Sequence, residues 1–226
     1  MKKILVAILG FAAIGTIASC KKNDDSSPTT SRIMFMNGAI NGPALDGMAN
    51  NVKVSGATGI TFLNRSGYVN VTSGNGTNLA FAVSSTGTNF AATTQNLTVS
   101  ANYSAFVGGD AFNSPQLVFT SDDLTAPPSG NAKVRFVNLS PSPLNETIYV
   151  GSVKIDSNIA YKGVTGFVPV PAGTANVIIQ DPNDPPHQVT MSNQNFASGK
   201  IYTIVLTGAT TGTGTAALTG TMVNNN

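Results

Sequence analysis

The chain has 226 residues and a formal net charge of +2, with only 10% charged residues against a usual figure of about 25%. Beyond Lys22 its basic residues form no cluster, which excludes the electrostatic footprint of a nucleic-acid binder. One cysteine and one histidine leave no pair for an intrachain disulfide and no histidine–cysteine set for a zinc site.

Met1-Lys2-Lys3 is followed by an apolar and small-residue run from Ile4 to Ile17 and then by Ala18-Ser19-Cys20, the three-part layout of a secretory signal. The run is shorter than the roughly 20 residues of a spanning helix, so a cleaved signal peptide is predicted over residues 1–19. Ile17-Ala18-Ser19-Cys20 resembles the bacterial lipobox, which makes Cys20 the predicted lipidation site, carrying diacylglycerol and a further acyl chain such as palmitate. Two chains anchor stably where one holds marginally, because each buried methylene contributes only about 0.8 kcal/mol. Residues 20–31 comprise this cysteine and a polar, flexible tether, Lys21 to Ser31, with a reach on the order of 18 Å. Asp24-Asp25 look like the acidic signal of some lipoproteins exported to the outer face of the outer membrane, or read as a merely solvated charge cluster, and Lys21 stands where an inner-membrane retention aspartate would be. The expected location is therefore the outer membrane, lipid-anchored, at the cell surface or on the periplasmic face.

The first module, residues 32–124, is predicted to hold strands near Ile33–Met36, Val52–Val54, Ile60–Leu63, Tyr68–Thr72, Leu79–Ser84, Leu97–Val99, Tyr103–Val107 and Leu117–Thr120. Residues 125–131, Thr-Ala-Pro-Pro-Ser-Gly-Asn, read as a linker that few contacts should cross, so that the second module would fold alone. That module, residues 132–226, is predicted to hold strands near Val134–Val137, Thr147–Val150, Val164–Val170, Asn176–Gln180, Val189–Met191, Ile201–Leu206 and Ala216–Val223. No stretch after residue 31 has helical periodicity. About seven short strands per module predicts an all-β chain of two tandem immunoglobulin-like β-sandwiches.

The modules are copies of one another. Arg32-Ile33-Met34-Phe35-Met36-Asn37 matches Lys133-Val134-Arg135-Phe136-Val137-Asn138, Gly67-Tyr68-Val69-Asn70-Val71 matches Gly166-Phe167-Val168-Pro169-Val170, and Gln95-Asn96-Leu97 before Tyr103 matches Gln194-Asn195-Phe196 before Tyr202. On the residues Val134-Arg135-Phe136-Val137-Asn138-Leu139-Ser140-Pro141, Val168-Pro169-Val170-Pro171-Ala172-Gly173 and Ser198-Gly199-Lys200-Ile201-Tyr202-Thr203-Ile204-Val205, the second module resembles the bacterial domain of unknown function 4397. The first module is similar to it as a diverged copy. The resemblance implies an exported, often lipid-anchored sandwich without an agreed activity. Ser142 stands where many members carry aspartate after the opening Ser-Pro, which removes any acidic role of that loop.

Candidate chemistry is sparse. His187 reads as a surface-loop residue, and Glu146, the only glutamate, has no second glutamate with which to form a glycosidase pair. Asp110, Asp122, Asp123, Asp181 and Asp184 lie in loop-like sequence and lack the spacing of a calcium loop, so they read as solvated turn residues. Tyr103 and Tyr202 read as core rings whose hydroxyls find partners at the sheet edge. No catalytic residue, metal or cofactor is predicted. The expected function is a non-enzymatic structural, adhesion or scaffold module of the envelope, with the membrane as partner through the anchor and an envelope protein or a polysaccharide as a further candidate partner. The alternative is a glycan- or nutrient-binding lipoprotein beside an outer-membrane transporter. Finally, Pro169 and Pro171 should blunt one edge strand, while Asn70 and Thr72 keep their amides and leave the matching edge open to an added strand.

Overall fold

The computed structural model describes residues 29–112 and 115–226. Cys20, the signal and most of the tether lie outside the described residues. The first module contains β1 (Thr30–Asn37), β2 (Leu45–Ala49), β3 (Val52–Lys53), β4 (Arg65–Thr72), β5 (Gly74–Val83), β6 (Asn89–Leu97), β7 (Asn102–Gly108) and β8 (Gln116–Ser121). The second contains β9 (Asn131–Asn138), β10 (Glu146–Val150), β11 (Val153–Ile159), β12 (Val168–Pro171), β13 (Gly173–Gln180), β14 (Val189–Phe196), β15 (Ile201–Thr207) and β16 (Thr219–Asn224). Among the described residues the only helical turns are two 3-10 turns of three residues, and no helix is long and apolar enough to cross a membrane.

The chain is thus all-β, and both modules are two-layered sandwiches. The first stacks sheet β4-β1-β7-β8 on β3-β2-β5-β6; the second stacks β12-β9-β15-β16 on β11-β10-β13-β14. At the centre of one sheet in each module the pairing is parallel, β1 with β7 and β9 with β15, and every other strand pair is antiparallel. Lettered in chain order, each module reads D-A-G-H over C-B-E-F, whereas constant immunoglobulin domains read A-B-E-D over C-F-G. The sandwich architecture is shared, and the eighth strand and the parallel centre depart from the seven-stranded constant-domain pattern.

Side-chain alternation gives these central strands two buried faces. Ile33 and Phe35 point into the first core with Leu79, Phe81, Tyr103 and Val107, while Val134 and Phe136 point into the second with Ile148, Val177, Ile179 and Leu206. The opposite faces do not meet water. Met34, Met36, Phe106 and Val118 pack against Val137, Leu139, Val205 and Val223 in a third cluster, which joins the modules sheet to sheet. The molecule is therefore four stacked layers with an apolar seam in the middle, and contacts across the 125–131 boundary are not few. That overturns the premise on which the second module was expected to fold alone.

The approach at the seam is close: a Cβ on Gly108 would lie 2.6 Å from Leu139 Cβ. Neither is the free end of a flexible chain, so Gly108→Val is expected to force the modules apart and lower the melting temperature by several degrees. Calorimetry checks this, with exposed Gly67→Val as a control, since nothing lies within 4 Å of a Cβ there.

Several strand expectations need correction. β2 was missed because Gly47 breaks its apolar pattern; a Cβ there would lie 2.8 Å from the Phe35 ring, so only glycine fits. β11 was missed because it is a polar edge strand with four exposed residues. Ile60 makes only an isolated bridge to Leu45, and Leu63 turns the chain with φ 62°, so no strand forms at 60–63. β6 ends at Leu97 where a strand was expected to begin, because its polar residues 93–96 hide its course. Val164 bridges Val137, but β12 starts only at Val168.

The edge expectation holds geometrically. β4 and β12 are edge strands. Ser73 N donates to Thr29 O and Ala172 N to Gly130 O, and the alternation of an antiparallel ladder then turns residues 70 and 72, like 169 and 171, outward.

Candidate functional site

Two places gather polar chemistry. The first is the seam. β9 carries Lys133 and Arg135 on one face, both aimed at the segment that follows β8. Arg135 is 1% exposed; its Nη1 lies 2.6 Å from Asp122 Oδ1, its Nη2 donates to Ser104 Oγ at 2.9 Å, and its Nε donates to Thr203 Oγ1 at 2.9 Å. Phe106 and Phe167 flank the guanidinium, with ring centroids 5.6 and 4.6 Å from its carbon. Asp122 Oδ2 accepts from Tyr68 Oη at 2.5 Å and from Ser104 Oγ at 2.6 Å. Tyr68 Oη accepts from Asn225 Nδ2 at 3.0 Å, and Asn225 Oδ1 accepts from Thr203 Oγ1 at 2.8 Å, which closes a ring of hydrogen bonds back to Arg135. Burial, and then the charge of Asp122, push the Tyr68 hydroxyl up to about 12, so it stays a donor at any physiological pH. Beside this ring Lys133 Nζ lies 2.8 Å from Asp123 Oδ2, and that hydrogen bond, with two from Thr125, holds the Asp123 carboxyl well below the usual range.

Asp122 is thus no solvated turn residue but the buried ion-pair partner of Arg135, while Asp123 is an exposed residue of the loop after β8 that pairs with Lys133. At the rim of the seam, both modules contribute to a groove of about 430 Å³ lined by Arg32, Arg65, Tyr68, Leu124, Asn224, Asn225 and Asn226. Arg32 Nε donates to Asn102 Oδ1 at 2.9 Å, and Arg65 donates to Ser66 O at 2.9 Å and to Asn224 O at 2.7 Å. Neither has a carboxylate partner among the described residues. Sequence reasoning missed this groove because its residues lie far apart in the chain.

The second place is one end of the second module. Glu146 opens β10, is 1% exposed, and among the described residues neither carboxyl oxygen has a hydrogen-bond partner. Burial, then the charges of Asp181 and Asp184, raise its pKa to about 7. Asp181 is buried and accepts from the backbone amides of Asn145 and Asn183 at 2.9 and 2.8 Å, which lowers its pKa. It too is no solvated turn residue. His187 does lie in a surface loop, its Nδ1 2.8 Å from Asp184 Oδ2. Among the described residues no three His, Cys, Asp or Glu side chains lie close enough to hold a metal. Tyr103 and Tyr202 are core rings whose hydroxyls accept from Thr98 N and Ala197 N at 3.0 and 3.1 Å.

Stacked sheets, a repeated strand order and a shared seam define a tandem β-sandwich protein. The chain belongs to the family described as "Domain of unknown function (DUF4397)", whose model matches it twice, over residues 31–145 and 142–226. The first matched stretch extends through β9, which belongs to the second sandwich. No curated protein matches the chain.

Proposed function

We propose that the chain is a non-enzymatic envelope lipoprotein, anchored in the outer membrane through Cys20, that serves as a structural, adhesion or scaffold module. The observation that carries this reading is the seam: an apolar cluster and a closed ring of hydrogen bonds join two sandwiches into one stiff body, as suits a part that bears load or presents a surface at the end of a tether. A chain whose one thiol is at Cys20 has one possible thioether anchor, so Cys20→Ala is expected to abolish labelling by a fatty-acid analogue and release the protein from membranes. Label retained on the variant overturns the anchor. Protease shaving of intact cells then reports which face of the membrane displays the modules.

The second reading is a glycan-binding lipoprotein working beside an outer-membrane transporter. One observation favours it, the groove at the seam with two arginines that lack acidic partners.

A further inference from the structure

The groove is built from both copies, so neither module alone possesses it. Arg32 and Arg65 come from β1 and β4 of the first module, Leu124 from the connecting segment, and Asn224 to Asn226 from the end of the second. Two like charges at one rim repel each other, and the nearby carboxylate that could neutralise them, Asp122, already takes Arg135, Tyr68 and Ser104. Neutral acceptors hold the two guanidinium groups in place. Arg32 is fixed through Nε by Asn102 and lies over the Tyr68 ring, 5.7 Å from its centroid, and among the described residues its Nη1–Nη2 end has no partner. Arg65 is fixed by two backbone carbonyls. Arg32, held by its Nε with its fork free, is preorganised for bidentate pairing with two oxygens of a carboxylate or of a tetrahedral oxyanion.

The rest of the lining narrows the ligand class. Asn224 accepts from Asn226 N through Oδ1 and keeps its Nδ2 donors, which suits hydroxyl groups, while Leu124 offers an apolar patch to ring C–H groups. The Tyr68 ring packs against the seam cluster and carries Arg32 over it, so it is not an open platform for a nucleobase. A volume of about 430 Å³ falls within the range of roughly 300–1,000 Å³ typical of small-ligand sites.

From these features we infer that the seam groove binds an acidic saccharide, with the fork of Arg32 pairing with its carboxylate or sulfate group and Arg65, held by Ser66 and Asn224 through its two Nη atoms, adding positive charge beside it. This inference rests on the second of the two functional readings, and it uses no property of the anchor. The test uses the full chain, solubilised in detergent, and titrates it at low salt with oligogalacturonate, with dextran sulfate and with neutral dextran. Binding to an acidic polymer and not to dextran is expected, and the stronger of the two acidic arms tells carboxylate from sulfate. Arg32→Ala and Arg65→Ala should each weaken that binding about tenfold or more, since the first removes a charge-assisted contact and the second the positive charge beside it. Arg32→Lys should recover part of the loss, because an ammonium keeps the charge without the fork. Lys154→Ala, which removes one positive charge from the exposed outer sheet of the second module, should change binding less than twofold. Unchanged melting temperatures in the arginine variants separate loss of the site from loss of the fold. No binding to either acidic polymer, equal binding to dextran, or equal weakening by Lys154→Ala overturns the inference. Each of those results leaves the scaffold reading to the anchor and shaving experiments.

Discussion

Arg135→Ala is expected to lower stability by about 3–5 kcal/mol, the usual consequence of stripping one partner from a buried ion pair. The loss has two parts. Asp122, with a fully buried side chain, would be left with only two hydroxyl donors, and Thr203 and Ser104 would each lose a charged donor. Two phenylalanine rings would also face a cavity where the guanidinium lay between them. The double variant Arg135→Met/Asp122→Leu should recover most of the loss, because an apolar pair leaves no charge unsolvated. Urea unfolding measures both. A single-variant loss under about 1 kcal/mol would mean the pair is solvated and the seam is open to water.

A second large effect is expected at Glu146. The folded state accommodates the neutral acid, with a pKa of about 7 against 4.5 for the ordinary side chain, so this group favours folding fully below pH 4.5. That contribution is lost as pH rises through the window from 4.5 to 7, where the folded state binds the extra proton. Over the whole window the loss is about 3 kcal/mol, because holding that proton against a tenfold fall in its concentration costs roughly 1.4 kcal/mol. Glu146→Leu should abolish this slope and raise stability at pH 8. Leucine is what the first module already has there: Leu45 opens β2 and bridges Ile60, just as Glu146 opens β10 and pairs with Ile159. Melting curves from pH 4.5 to 8.5 decide the matter. A wild-type profile that is flat across this range, or identical to that of the leucine variant, would show that the carboxyl is hydrated in the folded state.

Much of the fold was legible because the strands at the centre of each inner sheet are dense in apolar residues. Ile33-Met34-Phe35-Met36 and Ile201 to Leu206 announce themselves. Polar edge strands such as β11 do not, because one face meets solvent and the other buries only a few side chains. The duplication was legible from spacing, and the prolines of β12 correctly located an edge. The seam was not legible. A central strand that is apolar on both faces looks the same whether its second face meets another sheet of its own module or a neighbouring module. Arg135 does carry a signal: a basic residue inside an apolar strand must find an acid, and Asp122-Asp123 supply the paired carboxylates thirteen and ten residues before Arg135 and Lys133. The groove and the buried Glu146 depend on loops converging in space, which no local pattern encodes.

The seam also bears on what a duplicated chain can do that two separate chains cannot. Each copy offers the same surface to the other: Met36 corresponds to Val137, Phe106 to Val205, and Ser104 to Thr203, in the manner of an isologous dimer whose subunits have been joined. In a true homodimer, corresponding positions must hold the same residue, and an arginine at the Arg135 position would recur at its counterpart, Met34. Two guanidinium groups would then be buried at one interface with their carboxylates to match. Covalent linkage lifts that symmetry, so one copy carries the guanidinium and the other a thioether, and the polar ring is built once on a pseudo-twofold surface.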